Sequence, residues 1–230
     1  MFNKRHIVRT IAATVSILAL SFTAACGSGQ STASNSTDSD DITQQTYKPG
    51  KLTIATGQPA YEPWVMNDKP ESGEGYEAAV AYAVADKLGF KKSDVVWTRT
   101  AFDTAIAPGA KDWDFNIQQF GITDERKKAV DFSSSYYNDS QSVVVKKDSK
   151  FANATKVSDL KDATVGVMVG TLAYDYAKAN IKDDIQTFND DAALAQALDA
   201  GQIDALVTST VECVYICLLY TSPSPRAISG

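Results

Sequence analysis

Two stretches of the chain repeat the same alternation of short β-rich runs and amphipathic helical runs. In the first stretch the pattern predicts strands at 51–56, 95–98 and 115–117 and helices at 76–88 and 102–107. In the second stretch it predicts strands at 164–169, 185–188 and 203–207 and helices at 172–179 and 192–198. Alternating strands and helices are typical of parallel α/β sheets, so we expect two similar α/β lobes. Ligands of such sheets bind beyond the carboxyl ends of the strands, and two facing lobes form a cleft there.

The helix predicted at 76–88 carries a regular apolar stripe. Tyr76, Val80, Val84 and Leu88 recur every four residues along an alanine-rich run, and Gly89 ends the run. We expect this stripe to form the buried face of the helix.

Composition and charge exclude several kinds of function. The 230 residues include 22 Lys and Arg against 28 Asp and Glu, a formal charge of −6, whereas a nucleic-acid-binding protein shows a basic face. The one histidine, His6, lies in a segment that we expect to be removed, which leaves no histidine for nucleophilic catalysis or metal binding. The three cysteines are too few for a disulfide framework and are not at zinc-ligand spacing. We expect no catalytic residues, no metal and no nucleic-acid partner.

Residues 1–25 are typical of a secretory signal peptide. Three basic residues precede an apolar run at 11–22 that is too short to span a bilayer. Small residues then lead to Cys26, which resembles the lipidated cysteine of bacterial lipoproteins. Ordinary cleavage just before Cys26, leaving a free thiol, is the alternative.

Residues 26–46 are predicted to be a flexible linker. They are small and polar, and they cannot bury enough apolar surface to offset their chain entropy. With a lipid on Cys26, this segment would tether a folded body to the outer face of the cell membrane. A frayed N-terminus is the alternative.

The folded part, from about residue 47 to 211, resembles the family 3 solute-binding proteins of bacterial ABC importers. The resemblance rests on the stretches KLTIATGQPAYEPW, GEGYEAAVAYAVADKLGF, DFNIQQFGITDERKKAVDFSSSYY, DLKDATVGVMVGTLAYDYA and ALDAGQIDALV. It implies a type II periplasmic-binding-protein-like α/β fold, with lobe 1 at 47–145, lobe 2 at 146–212 and a hinge between them. It also implies a cofactor-free monomer that captures a polar amino acid and passes it, chemically unchanged, to an ABC permease in the membrane.

Two elements are candidates for holding a ligand carboxylate. Arg126 follows the third strand and the helix cap Thr123, where a planar guanidinium suits a bidentate clamp; a solvated surface arginine is the alternative. Thr171 follows Gly170 at a strand-to-helix junction, where backbone N–H groups form an anion site; simple capping by Thr171 is the alternative. In the resembled family both elements bind the ligand's α-carboxylate.

Three aromatic residues lie in loops that follow the predicted strands. Tyr61 and Trp64 come after the first strand, and Phe120 comes after the third. In the resembled family such aromatics wall the side-chain pocket, where they stack on apolar or cationic ligand groups. Packing beneath the loop is the alternative, above all for Trp64.

The chain departs from the family pattern at several positions of the expected site. Gln118, Gln119 and Gly121 stand where relatives carry small or hydroxyl residues, so Gly121 supplies no hydroxyl. Gln119 is expected to offer its backbone carbonyl to the ligand ammonium, and its side chain to alter specificity. Ser209 stands where the family carries an Asp that neutralises this ammonium. Glu77 or the loop after the first strand is a candidate substitute, although Glu77 also fits as a favourable charge in a helix's first turn.

Residues 213–230 do not follow the family pattern. An apolar run that contains Cys213 and Cys217, and that is too short to span a bilayer, leads into TSPSPRAISG. The resemblance implies a further segment that completes lobe 1. We therefore expect a fragment lacking the C-terminal part of lobe 1, with an end that is a sequencing or assembly artefact; a genuine short variant is the alternative.

Two other functions fit the same fold. A sensory ligand-binding module would need a transmembrane exit into a signalling domain. An enzyme, such as a dehydratase or a wall-degrading hydrolase, would need a poised acid or base in the cleft. The candidate carboxylates Asp204 and Glu77 both have structural explanations, so we expect a binding protein rather than an enzyme.

Overall fold

The computed structural model describes residues 41–221, with side chains placed as far as Leu218. The predicted signal peptide, Cys26, most of the predicted linker and the end of the predicted tail lie outside these residues. Within residues 41–221, no helix is both long enough and apolar enough to cross a membrane.

The first sheet is built from three parallel strands. These are β1 (Leu52–Gly57), β2 (Val95–Thr100) and β3 (Phe115–Asn116). The accompanying helices are α1 (Tyr76–Lys87), α2 (Phe102–Ile106) and α3 (Asp124–Lys127). The strand order is β2-β1-β3, and the predicted strands and the two longer predicted helices are confirmed.

The second sheet has four strands and forms the centre of the other lobe. They are β4 (Gln141–Val145), β5 (Val165–Met168), β6 (Ile185–Phe188) and β7 (Ala205–Ser209). The accompanying helices are α4 (Leu172–Asn180), α5 (Asp191–Asp199) and α6 (Thr210–Thr221). The order is β4-β7-β5-β6, with β5 parallel to β6 and β7 and with β4 antiparallel to β7.

Short 3₁₀ helices lie in the connections of both lobes. They are Ile42–Gln44, Met66–Asp68, Pro70–Ser72, Lys92–Asp94 and Val157–Leu160. The two sheets, each with its helices, form the two α/β lobes that the sequence predicts.

Strand β4 lies in the second sheet, although the sequence analysis assigned residues 47–145 to lobe 1. Its register pairs Gln141 with Ser209 and Val145 with Ala205. The second sheet therefore takes in residues that precede the expected boundary at 146. This strand was missed in the sequence, although its run of three valines at 143–145 has the β-branched composition of a strand.

The buried face of α1 is not the predicted stripe. Its buried residues are Glu77, Ala78, Ala81 and Ala85, whereas Tyr76 is 42% exposed. Ala81 and Ala85 pack against β1 and β3 because their small side chains let the helix approach the sheet closely. The remaining residues of the stripe, at 80, 84 and 88, pack only partly buried against the same core.

The second lobe packs a helix layer tightly against β5. A Cβ atom added at Gly166 would lie 2.6 Å from Cδ1 of Ile203 and 2.9 Å from Cδ1 of Leu194. Glycine at this position therefore lets α5 and the segment before β7 close over the strand. This contact fixes where the carboxyl ends of β5 and β7 meet the cleft.

Helix α6 begins directly after β7 and continues into the segment predicted to be a tail. Cys213 and Ile216 are buried against Leu194 and Leu206 of the second lobe. Burial raises the pKa of the Cys213 thiol to about 12, so this cysteine is neutral at physiological pH. The first part of the expected tail is thus helical and packed on lobe 2, whereas residues 222–230 lie outside the described part.

Candidate functional site

A cavity of about 590 Å³ opens between the two lobes. The first lobe contributes the loops that follow β1 and β3, and the second lobe contributes the start of α4, the start of α5 and the end of β7. All six ligand-binding residues predicted from the sequence line this cavity, namely Tyr61, Trp64, Gln119, Phe120, Arg126 and Thr171. The structure brings them together, and their binding roles remain predictions.

Arg126 reaches across the cavity from one lobe to the other. The cap Thr123, whose hydroxyl accepts the Arg126 backbone N–H, starts α3 and places the side chain at the cavity wall. The guanidinium donates from Nη1 to the Gly121 carbonyl at 2.8 Å and from Nη2 to the Gly170 carbonyl of the other lobe at 2.9 Å. Partial burial lowers the pKa of Arg126, but an arginine stays charged in proteins.

Two stacked phenylalanines form the floor beneath this guanidinium. The rings of Phe102 and Phe120 lie 4.0 Å apart and nearly parallel. Arg126 Cζ lies 5.7 Å and 5.5 Å from their respective centroids, within cation–π range. Phe120 therefore contacts the arginine as well as the cavity. Phe102 was missed in the sequence, although its place just after β2 could have pointed to it.

Thr171 caps α4 in the way that the alternative explanation proposed. Its hydroxyl accepts the Tyr174 backbone N–H at 3.3 Å and donates to the Met168 carbonyl at 2.7 Å. Because this donation uses the one hydroxyl hydrogen, an anion at this point would bind to first-turn backbone N–H groups rather than to the Thr171 hydroxyl. Those N–H groups begin at Leu172.

Tyr61 also joins the two lobes. Its hydroxyl accepts the backbone N–H of Ala192, in the first turn of α5, at 3.4 Å. Desolvation raises the pKa of this phenol, so it stays protonated and can donate a hydrogen bond.

Trp64 is buried, with only 3% of its surface exposed, as the packing alternative proposed. Its indole Nε1 donates to Glu212 Oε1 at 2.9 Å. The rings of Tyr76 and Tyr137 pack edge-on against it. Trp64 thus contributes to the cavity mainly by holding a carboxylate from α6.

Glu77 lies in the first turn of α1, as the structural explanation expects, and its side chain is fully buried. Its carboxylate accepts the Gln119 backbone N–H at 2.8 Å, and also accepts hydrogen bonds from Gln119 Nε2 and the Tyr136 hydroxyl. Burial is the main reason that its pKa rises to about 7. This carboxylate organises lobe 1 rather than standing free in the cavity.

Acidic residues outnumber basic residues in the described cavity wall. Of the described lining residues, one is basic, Arg126, and five are acidic, namely Glu77, Asp139, Asp190, Asp191 and Glu212. Burial and then the charge of Glu212 raise the pKa of Asp191 to about 7, and burial also raises the pKa of Glu212. Within residues 41–221, no group of three or more acidic, cysteine or histidine side chains is arranged to hold a metal ion.

Asp191 and Glu212 were not recognised in the sequence. Ser209 and Glu212 have the spacing of a helix-capping box, and the Ser209 hydroxyl accepts the Glu212 backbone N–H at 3.2 Å. That spacing after a strand could have predicted α6 and the position of Glu212. Asp191 follows the α5 cap Asp190, whose carboxylate accepts the Ala193 N–H.

The sequence of this chain is similar to those of known proteins. The model of a family described as bacterial extracellular solute-binding proteins, family 3, matches residues 52–207. The L-cystine-binding protein TcyJ of Escherichia coli K12 is 33% identical over 149 residues, which are 64% of this chain and 54% of that protein. The glutamine-binding protein of Geobacillus stearothermophilus is 32% identical over 225 residues, covering 89% of this chain and 82% of that protein.

Solved structures agree with this result. The crystal structure of AncCDT-1, an ancestral amino acid-binding protein described as a precursor of cyclohexadienyl dehydratase, superposes with a TM-score of 0.62 at 34% identity. The superposition covers 74% of this chain and 75% of that one. The chain spans little more than half the length of some relatives, such as the cystine-binding protein.

Proposed function

The chain belongs to the bacterial extracellular solute-binding proteins of family 3, and we propose that it binds a polar amino acid between its two lobes. We further propose that it delivers this ligand, chemically unchanged, to the permease of an ABC importer, and that it acts as a monomer without a cofactor. The relatives named for cystine and glutamine binding support an amino-acid ligand.

The position of Arg126 carries this proposal. A guanidinium that donates to both lobes within the cavity is placed to bind a carboxylate bidentately when either carbonyl partner is released. The first turn of α4 offers backbone N–H groups to the same anion. The acidic residues that line the same cavity suit the ammonium end of the same ligand.

Isothermal titration calorimetry of the chain against the twenty standard amino acids tests the proposal. We expect reversible heat with one ligand per chain for at least one of them. Absence of binding across the whole panel by a folded sample would contradict the proposed function. Amino acids recovered unchanged after incubation would agree with a binding protein.

An enzymatic function is the second candidate, because one solved relative is described as the precursor of a dehydratase. Glu77 has a pKa of about 7, which suits a general acid or base, and it lines the cavity. However, its oxygens already accept three hydrogen bonds from Gln119 and Tyr136. Chromatography of the incubated ligand separates the two functions, since a consumed ligand would favour catalysis.

Location outside the cytoplasm on a lipid anchor is also a proposal. It rests on the sequence of residues 1–26, which resembles a lipoprotein signal ending at Cys26. Expression of the whole gene in a bacterium, with and without Cys26→Ala, tests it. The unaltered protein should remain with the membrane fraction, whereas the variant should be released in soluble form.

A further inference from the structure

The proposed amino-acid site needs a group that binds the ligand's ammonium, and Ser209 has no charge to offer. The described cavity wall contains five carboxylates, of which two already have other roles and a third is exposed. Glu77 accepts three hydrogen bonds within lobe 1, Asp190 caps α5, and Asp139 lies on an exposed segment. Asp191 and Glu212 remain.

Glu212 is held more firmly than Asp191. It is 6% exposed, and its two oxygens accept hydrogen bonds from different donors, the Trp64 indole at 2.9 Å and the Ser209 hydroxyl. Asp191 accepts one long hydrogen bond, from the Thr208 hydroxyl at 3.4 Å. A carboxylate has about four acceptor positions, so Glu212 keeps about two for a ligand in a fixed orientation. A group fixed in advance loses less entropy when a ligand binds.

A second acceptor, on β4, lacks a partner. Gln141 lines the cavity, and its buried Oε1 has no hydrogen-bond partner within residues 41–221. Gln141 on β4 pairs directly with Ser209 on β7, so their side chains lie on the same face of the sheet. A buried acceptor without a partner is destabilising, so a ligand donor that reaches Gln141 Oε1 would be stabilised there.

We propose that Glu212 and Gln141 together bind the ligand's α-ammonium group, with Glu212 supplying the charge that Ser209 lacks. This assignment rests on the proposed amino-acid-binding function. An ammonium has three N–H donors, and the Glu212 carboxylate and the Gln141 amide oxygen are acceptors on residues that both line the cavity. The ligand's carboxylate then lies toward Arg126. Ser209 acts as a positioning residue, because its hydroxyl orients the Glu212 carboxylate.

Calorimetry on variants tests this assignment, with the twenty standard L-amino acids as probes. Glu212→Gln keeps the size of the side chain and can still accept from Trp64 through its amide oxygen, while its amide N–H donates to the Ser209 hydroxyl, and it removes the charge. We expect this variant to lower the affinity for every amino acid that the unaltered chain binds by about 10- to 100-fold, since a charged hydrogen bond contributes about 1.5–3 kcal/mol. Gln141→Leu should lower the affinity for the same ligands by about threefold to tenfold. The matched control Glu71→Gln, on an exposed 3₁₀ helix, should leave affinity unchanged.

A second measurement separates ammonium binding from a structural role of Glu212. For each amino acid bound, the analogue with hydrogen in place of the α-ammonium is titrated against both proteins. The unaltered chain should prefer the amino acid, and Glu212→Gln should lose most of this preference. If circular dichroism shows that Glu212→Gln does not fold, Glu212→Asp is titrated instead. This variant keeps the charge and should keep the preference for the amino acid over its analogue.

The outcomes distinguish this assignment from the proposed function. If the unaltered chain binds no amino acid, both fail. If it binds amino acids and Glu212→Gln retains the full preference for the α-ammonium, this assignment alone is overturned. Loss of the preference in Asp191→Asn, with Glu212→Gln unaffected, would also overturn it and give the role to Asp191.

Discussion

The Glu77 carboxylate holds Gln119 in a left-handed backbone conformation. Gln119 has a φ of +53°, which non-glycine residues rarely adopt, and its backbone N–H donates to Glu77 Oε1 at 2.8 Å. Its side-chain amide donates to the other oxygen of the same carboxylate. One buried residue of α1 therefore fixes the turn that carries the loop after β3 into the cavity. That turn also directs Phe120 and the chain leading to Arg126.

Replacing Glu77 should destabilise the protein. Glu77→Ala leaves the Gln119 N–H and the Tyr136 hydroxyl without their acceptor and opens a cavity, so we expect a loss of about 2–4 kcal/mol in the free energy of unfolding. Urea denaturation followed by circular dichroism measures this loss. Glu74→Ala, at a nearby exposed position, is the control and should change stability by less than about 0.5 kcal/mol. Equal effects of the two substitutions would contradict the role of Glu77.

Much of this architecture could be predicted from the sequence, because strands and helices leave local patterns. The alternation of apolar runs identified six of the seven strands, and the Thr123-to-Arg126 spacing identified the capped helix that carries the arginine. The apolar spacing gave the wrong buried face for α1, since it favoured Val80 and Val84 over the alanines that approach the sheet. A glutamate on that alanine face therefore looked exposed.

The acidic wall could not be predicted, because it depends on pairings between distant segments. Gln141 meets Ser209 only through the antiparallel pairing of β4 with β7. Trp64 meets Glu212 across 148 positions of sequence. Neither contact has a local signature, although the Ser209-to-Glu212 spacing does predict a helix start.

Stability should fall as pH rises from about 4.5 to 7. Burial raises the pKa of Glu77 and of Asp191 to about 7, from 4.5 and 3.8 respectively, so the folded state holds these two protons more tightly than the unfolded chain. The resulting stabilisation is complete below the unfolded pKa values and is lost as pH passes through about 7. Each group contributes at most on the order of 3–4 kcal/mol.

Urea denaturation at intervals between pH 4.5 and 8 measures this dependence. The exposed carboxyls with lowered pKa values, such as Asp94 and Asp159, are ionised throughout this range and do not disturb it. Glu77→Gln should flatten the curve, because it removes one of the groups whose pKa is raised. A free energy of unfolding that rises across this range would contradict the prediction.

Removing the guanidinium should weaken amino-acid binding strongly and affect folding little. Hydrogen bonds to charged groups contribute about 1.5–3 kcal/mol, so Arg126→Ala should lower affinity more than about tenfold. Lys127→Ala is the control, since Lys127 pairs at the surface with Asp124 at 3.0 Å, and such pairs contribute little. Calorimetry with any amino acid that the unaltered chain binds makes the comparison. Unchanged affinity in Arg126→Ala would refute the carboxylate clamp.

Gly121 should control how closely the two lobes approach each other. A Cβ atom at this position would lie 2.3 Å from Leu172 Cδ1, which belongs to the first turn of α4 in the other lobe. Gly121→Ala should therefore hold the lobes apart and weaken ligand binding by about tenfold, in line with the 1–3 kcal/mol that overpacking costs. The stability of the unliganded protein should change little, because the lobes can separate to relieve the contact.

The double variant Gly121→Ala with Leu172→Ala tests whether this single contact is the cause. Removing the leucine side chain makes room for the new methyl group, so affinity should return to near that of Leu172→Ala alone. Calorimetry on the four proteins of this double-mutant cycle gives the coupling between residues 121 and 172. Additive effects would show that the two residues do not meet when the ligand binds, and would assign the loss in Gly121→Ala to the loop after β3 itself.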